Sequence, residues 1–188
     1  MGDRAAHLIR IILIASLTFI AYSNSFNSAF HFDDYSSIIA HPYIKSIHNI
    51  PYFFYYNGSP LTNRPVTMAT FALNFGIGGL DPFSYHVANF LIHLANAVLV
   101  YMLLLLTLRN RINEYMNVSL LASLMFAVHP IQTQAVTYIV QRAEILSSFF
   151  YLLSVVLFVK ARLVHSSQFI AHSSEPTNYE LRATNATR

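Results

Sequence analysis

Residues 87–108 read VANFLIHLANAVLVYMLLLLTL, a run without a formal charge. As an α-helix rising 1.5 Å per residue it reaches across a hydrocarbon core of roughly 30 Å. That segment tells what solvent the chain folds in, and the composition agrees. Of 188 residues, 55% are hydrophobic and only 10% are charged, against roughly 25% charged in a soluble domain. The fold class that follows is all-α and integral to the membrane.

Working outward, the spacing predicts about four transmembrane helices. The clearest covers about 86–108. Upstream, about 8–24 forms the first, with Arg10 snorkelling to the near headgroups. The competing reading of that segment is a signal peptide. It has a basic start and small residues behind the apolar region (Ser23, Ser25, Ser28, Ala29), but no clean A-x-A site. Downstream, Val118 to Val128 is strongly apolar yet about half of bilayer length, and His129-Pro130 interrupts it. The third span is placed at about 118–130, followed by a loop through about Thr137 and a fourth span at about 138–163. A short span survives when it packs against protein rather than lipid.

Charge orients the chain. With the N-terminus inside, the inner segments hold Arg4, Arg10, Arg109, Arg111, Lys160, Arg162, Arg182 and Arg188, and the outer ones Lys45, Arg64 and Arg142. This bias predicts both ends in the cytoplasm. Residues 1–165 then form one membrane domain and 166–188 a disordered cytoplasmic tail rich in Ser, Thr and Asn. The outer loop, about 25–85, is too long to be a bare linker. Two interfacial helices are expected in it, Ile47 to Tyr56 and Pro65 to Phe75, with turns at Asn57-Gly58-Ser59-Pro60 and from Gly76 to Pro82.

Composition also excludes. The net charge of +3 is scattered, which gives no nucleic-acid face. There is no Cys, so disulfides and thiolate metal sites are absent; a divalent metal stays open, with no ligand set indicating one. No Trp is present, which leaves interfacial anchoring to 12 Tyr. Walker, dinucleotide-binding and Ser-His-Asp patterns are not visible.

The chemistry-bearing residues gather on the outer side. Phe30-His31-Phe32-Asp33-Asp34-Tyr35 puts two carboxylates where the chain leaves the bilayer. An adjacent acid pair can divide the roles of general base and positioning group. The simpler reading, which composition favours, is a helix cap ahead of Tyr35. Arg64 and Arg142 can clamp a phosphate, or merely snorkel to lipid phosphates. His129 can bind a metal, shuttle a proton, contact substrate or simply end a helix at Pro130. Gln134 and Glu144 flank it as further substrate-contact candidates. His86, Asn89 and His93 recur at helical spacing, one polar stripe that must face protein or water. His86 counts among the substrate-contact candidates, although helix packing is the stripe's first reading.

Taken together, several motifs resemble one family. They are Ala21-Tyr22-Ser23-Asn24-Ser25-Phe26 with Phe30-His31-Phe32-Asp33-Asp34, then Arg64-Pro65-Val66 and Phe71-Ala72-Leu73-Asn74-Phe75. Gly79-Leu80-Asp81-Pro82 with Tyr85-His86-Val87-Ala88-Asn89 and His93 follows. The most specific is the block from His129-Pro130 to Gln141-Arg142-Ala143-Glu144. The chain resembles the transmembrane-and-tetratricopeptide (TMTC-like) proteins and their bacterial relatives over about residues 10–162.

The resemblance implies a partial GT-C glycosyltransferase fold, similar to protein O-mannosyltransferases. Such enzymes move a sugar, mannose in the named relatives, from a polyprenyl-phosphate donor to an extracytoplasmic acceptor such as protein hydroxyls. It implies that Asp33-Asp34 carries the base and that Arg142 lies near the donor phosphate. Animal members often have Glu where this chain has Gln134. Family members continue with more membrane helices and then repeats, whereas this chain stops after four spans. A fragment, a truncated product or a need for a partner is therefore expected. The alternative to an enzyme is a catalytically inactive membrane protein or interaction subunit. A small transporter lacks the internal repeat it would require.

Overall fold

The computed structural model describes residues 2–55, 64–109 and 113–173, with backbone only for residues 2–3 and 166–173. Among them the regular structure is entirely helical: α1 (Gly2–Tyr22), α2 (Ile50–Tyr55), α3 (Pro65–Gly78), α4 (Pro82–Leu108), α5 (Tyr115–Val128), α6 (Thr133–Thr137) and α7 (Arg142–Ser173). Three stretches are long and apolar enough to cross a membrane: Arg4–Asn27, Pro82–Leu108 and Ile139–His165. The third expected span, α5, is apolar but has 14 residues, about 21 Å of helix.

Local chemistry sets the boundaries. Pro65 opens α3, where its missing N–H costs nothing. Gly79 closes α3 at φ 62, a backbone that only glycine adopts freely. Asp81 then caps α4, its Oδ1 accepting the Phe83 N–H at 3.2 Å, and Pro82 takes the first turn. The break before α4 is thus shorter than the Gly76-to-Pro82 reading. α5 stops because Pro130 cannot continue it.

The segment expected as a loop through Thr137 is helical instead. It holds a 3-10 turn (Pro130–Gln132), α6 and a second 3-10 turn (Ile139–Gln141), and the last helix begins at Arg142 rather than about 138. At the other end the backbone continues helical to Ser173, eight residues into the stretch read as a tail; residues 174–188 lie outside the described residues. So do Asn57 to Pro60, the expected turn.

Side-chain contacts give the helix directions. His7 Nδ1 lies 2.9 Å from Tyr101 Oη, and the Phe19 and Phe90 rings are 6.1 Å apart, so α1 and α4 are antiparallel. Arg10 reaches Asn117 Oδ1 at 3.4 Å, while His93 pairs with the Ala127 carbonyl at 2.9 Å, so α5 runs along α1 and against α4. Asn89 meets Arg142 and Asn96 meets the Ile145 carbonyl, so α7 starts beside the start of α4. The four helices alternate in direction around α4.

This packing explains the short α5. Its end stops at the level of His93, and the broken segment 129–141 fills the remaining depth. Irregular backbone at membrane depth needs partners within the protein. The α4 stripe supplies them: His93 takes the Ala127 carbonyl, and Asn89 Nδ2 donates to the Val136 and Ile139 carbonyls at 3.4 and 3.3 Å; one turn on, Asn96 Nδ2 ties α4 to the Ile145 carbonyl of α7 at 2.9 Å. Ile14, Ala97, Tyr101 and Ala127 form the apolar core between α1, α4 and α5.

The long segment between α1 and α4 folds into a cap with its own core. Phe30, Ile38, Ile44 and Phe53 pack on Met68, Phe71 and Tyr85. Each large apolar side chain buried there contributes roughly 1.5–3 kcal/mol. A labelling experiment tests the arrangement: cysteines replacing exposed His48 and Glu114 are expected to react with an impermeant maleimide from opposite sides of the membrane. Reaction from one side would overturn the alternating directions.

Candidate functional site

The acidic pair sits on a tight turn. The Asp34 N–H donates to the His31 carbonyl at 2.9 Å and the Tyr35 N–H to Phe32 at 3.1 Å. Phe32 takes φ 42, a left-handed backbone that costs a bulky residue about 1–3 kcal/mol. One π-helical turn follows, Tyr35–Ile39. Strain and π turns concentrate at functional sites, and here they aim two neighbouring carboxylates differently. Asp34 is buried and Asp33 exposed.

Asp34 makes a structural tie. Its Oδ2 accepts the His31 N–H at 2.9 Å and its Oδ1 the Val140 N–H at 2.8 Å, joining the first outer turn to the turn before α7. The Asp33 N–H donates to Tyr138 Oη at 2.9 Å and adds a second tie. Asp34 stands at the head of the π turn, but its carboxylate does not cap it.

Burial pushes the Asp34 carboxyl above the usual carboxylate range, against the pull of its two backbone donors. Its contribution to stability is therefore fully present below the unfolded carboxyl value, about 3.9, and is lost as pH rises through the raised folded value. The melting temperature is expected to fall across that window, and Asp34→Asn to flatten the fall. Equal slopes in both proteins would exclude Asp34 as its source.

Asp33 lines a cleft of about 480 Å³ with Ser36 and Ser37. Arg64 and Thr67 enter from the start of α3, and Gln141 and Glu144 from the last turn before α7 and its first turn. Asp33, Arg64 and Glu144 are exposed. Past Arg64 the space continues as a groove of about 290 Å³ in which Val66, Ala143, Leu146 and Phe150 replace the polar wall. On the other side, past Gln141, lies a third space of about 350 Å³ bordered by Ile131, Gln134 and Ala135. Glu144 borders all three.

Arg142 is elsewhere. It is 0% exposed, with its guanidinium between α3, α4 and α7. Nε donates to Asn89 Oδ1 at 2.7 Å and Nη2 to the Tyr85 carbonyl at 3.0 Å. Nη1 donates to Asn74 Oδ1 at 2.6 Å and Thr70 Oγ1 at 3.3 Å. The Phe71 ring lies 4.6 Å from the guanidinium carbon, close enough for a cation–π contact. These hydrogen-bond partners are neutral oxygens, and they direct the donors inward rather than into the cleft.

The other candidates divide. Gln134 and Glu144 border the third space. His129 is exposed, and its Nδ1 accepts the Ile131 N–H at 3.2 Å, capping the turn after Pro130. His86 is buried with Nε2 3.1 Å from the Ser28 carbonyl. Among the described residues no group of three or more His, Cys, Asp or Glu is placed to hold a metal ion. Sequence reasoning missed Ser36, Ser37, Thr67, Gln141 and Tyr138. Asn74 carried a usable signal, since an amide in an apolar helix needs a partner.

Comparison with known proteins adds the family. The chain is 35% identical over 169 residues to the protein O-mannosyl-transferase TMTC3 of Homo sapiens, covering 83% of this chain and 17% of that protein. It is 32% identical over 171 residues to the protein O-mannosyl-transferase F38B6.6 of Caenorhabditis elegans, covering 86% and 24%. It is 32% identical over 181 residues to the protein O-mannosyl-transferase TMTC4 of Homo sapiens, covering 87% and 24%. The chain thus spans about a sixth to a quarter of the length of these relatives. No family model and no solved structure matches it. On these relatives and on its membrane helices, the chain belongs to the TMTC family of protein O-mannosyl-transferases, as a partial, N-terminal match.

Proposed function

We propose that this chain forms the N-terminal part of a membrane glycosyltransferase. It takes a sugar, mannose on the names of its relatives, from a polyprenyl-phosphate donor and places it on a protein hydroxyl outside the cytoplasm. The observation that carries the reading is the convergence of Asp33, Arg64 and Glu144 on one cleft that opens into an apolar groove along α7. Such a donor is itself half ionic and half apolar. Its phosphate meets Arg64, and its first isoprenoid units lie against Val66, Leu146 and Phe150.

Chemistry follows from the two carboxylate environments. Asp33 is exposed and lines the cleft. It removes the proton of the acceptor hydroxyl as that oxygen attacks the anomeric carbon. The bond from that carbon to the phosphate oxygen breaks, and polyprenyl phosphate leaves with the electron pair. Arg64 meets the charge that develops there. Asp34 is the positioning partner: its ties to His31 and Val140 set the turn that carries Asp33.

The test uses the chain in lipid nanodiscs with polyprenyl phosphate as the probe. A hydrogen bond to a charged group contributes about 1.5–3 kcal/mol, so Arg64→Gln is expected to weaken binding by roughly 10- to 100-fold. Unchanged affinity would remove Arg64 from the donor site.

A further inference from the structure

The geometry points to an acceptor subsite in the groove between α6 and the start of α7, one that takes an extended, hydroxyl-bearing polypeptide. This rests on the transferase reading above and adds to it the place and the extended form of the second substrate. A transferase must bring two substrates to one centre along separate paths. The central cleft has two side spaces, and they differ in chemistry. One side, past Arg64, is walled by Val66, Leu146 and Phe150 and suits an apolar chain. The other, past Gln141, is bordered by Gln134 and Glu144 beside Ile131 and Ala135.

Amide side chains are the groups that recognise a peptide backbone. Each carries a carbonyl acceptor and an N–H₂ donor, which match the N–H and C=O of an extended chain. Gln134 is exposed and Gln141 half-buried. They stand on either side of the short α6–α7 connection, and Gln141 borders both this groove and the central cleft. Ile131 is 75% exposed at the rim and offers an apolar contact to a side chain. Gln141 and Glu144 border the groove and the cleft alike, so a Ser or Thr hydroxyl entering past them reaches the cleft that Asp33 also lines. The groove's size, about 350 Å³, fits a few residues of peptide rather than a folded surface.

Photo-crosslinking on the 188-residue chain in nanodiscs tests this. Benzoylphenylalanine replaces exposed Ile131 in one variant and exposed Phe150 in another. The probes are a Thr-rich dodecapeptide with blocked ends, polyprenyl phosphate and a mannose oligosaccharide. The peptide is expected to label from position 131 and the lipid phosphate from position 150. Adding Gln141→Leu is expected to cut peptide labelling by about three- to tenfold, the usual weight of one hydrogen bond. Peptide labelling absent from 131, or equal at both positions, overturns the subsite. Preferential labelling or displacement by the oligosaccharide overturns the peptide class. Lipid phosphate labelling neither position, with peptide labelling at 131 intact, would remove the donor reading and leave the groove standing.

Discussion

Asp33→Asn is expected to lower transfer by about 10²–10⁴-fold, the usual contribution of a general base, while leaving membrane insertion and melting unchanged. The side chain is exposed and lines the cleft; the Asp33 N–H donates to Tyr138 Oη, and the Tyr138 hydroxyl also meets the Asp33 carboxylate. Asparagine keeps that N–H and the shape but cannot take a proton. The measurement is turnover per folded molecule in a chain that joins this segment to the remaining membrane helices of a relative such as TMTC3. A polyprenyl-phosphate sugar serves as donor. Asp34→Asn makes the contrast. It sets an amide N–H₂ against a backbone N–H at Val140 or His31, so stability is expected to drop by about 1–3 kcal/mol. Near-normal turnover in Asp33→Asn would end the catalytic assignment.

Arg142→Met is expected to destabilise the chain by at least about 1–3 kcal/mol, the cost of one buried acceptor left without its donor. Methionine fills the space but leaves the oxygens of Asn89, Asn74 and Tyr85 without their donors. Arg142→Lys keeps the charge, yet one ammonium cannot span three helices as a planar fork does. It is expected to recover only part of the loss. Denaturant unfolding in mixed micelles measures both. A phosphate ligand at this position predicts the opposite pattern. If Arg142→Met keeps full stability and loses polyprenyl-phosphate binding, the guanidinium belongs to the donor site after all.

These two residues mark where sequence reading works and where it stops. Asp33 and Asp34 are chemically identical neighbours, and nothing in the string tells the exposed carboxylate from the buried tie. The left-handed Phe32 and the π turn separate them, and both depend on Val140 and Tyr138, about a hundred residues away. Arg142 was legible as an ionisable group of consequence, because a charge beside apolar helices must find partners. Which partners it finds depends on Asn74 and Asn89 arriving from two other helices.

By itself the sequence determined the solvent, the helical class, the α4 span and the family motifs. Those properties are local or compositional: apolar run length, the missing charges, Pro65 and Pro82 at helix starts, Pro130 at a helix stop. The polar stripe of His86, Asn89 and His93 was equally plain from its spacing. Tertiary structure alone decided what the stripe does. Asn89 and His93 pair with carbonyls of Ala127, Val136 and Ile139 where the chain breaks between α5 and α7, while His86 meets the Ser28 carbonyl; these ties let a 14-residue helix serve in a membrane bundle. Packing also decided that Glu144 borders three spaces and that Arg64 lines the cleft while Arg142 does not. The reason is physical. Burial and direction of a side chain are set by neighbours distant in the chain, and one-dimensional periodicity carries no record of them.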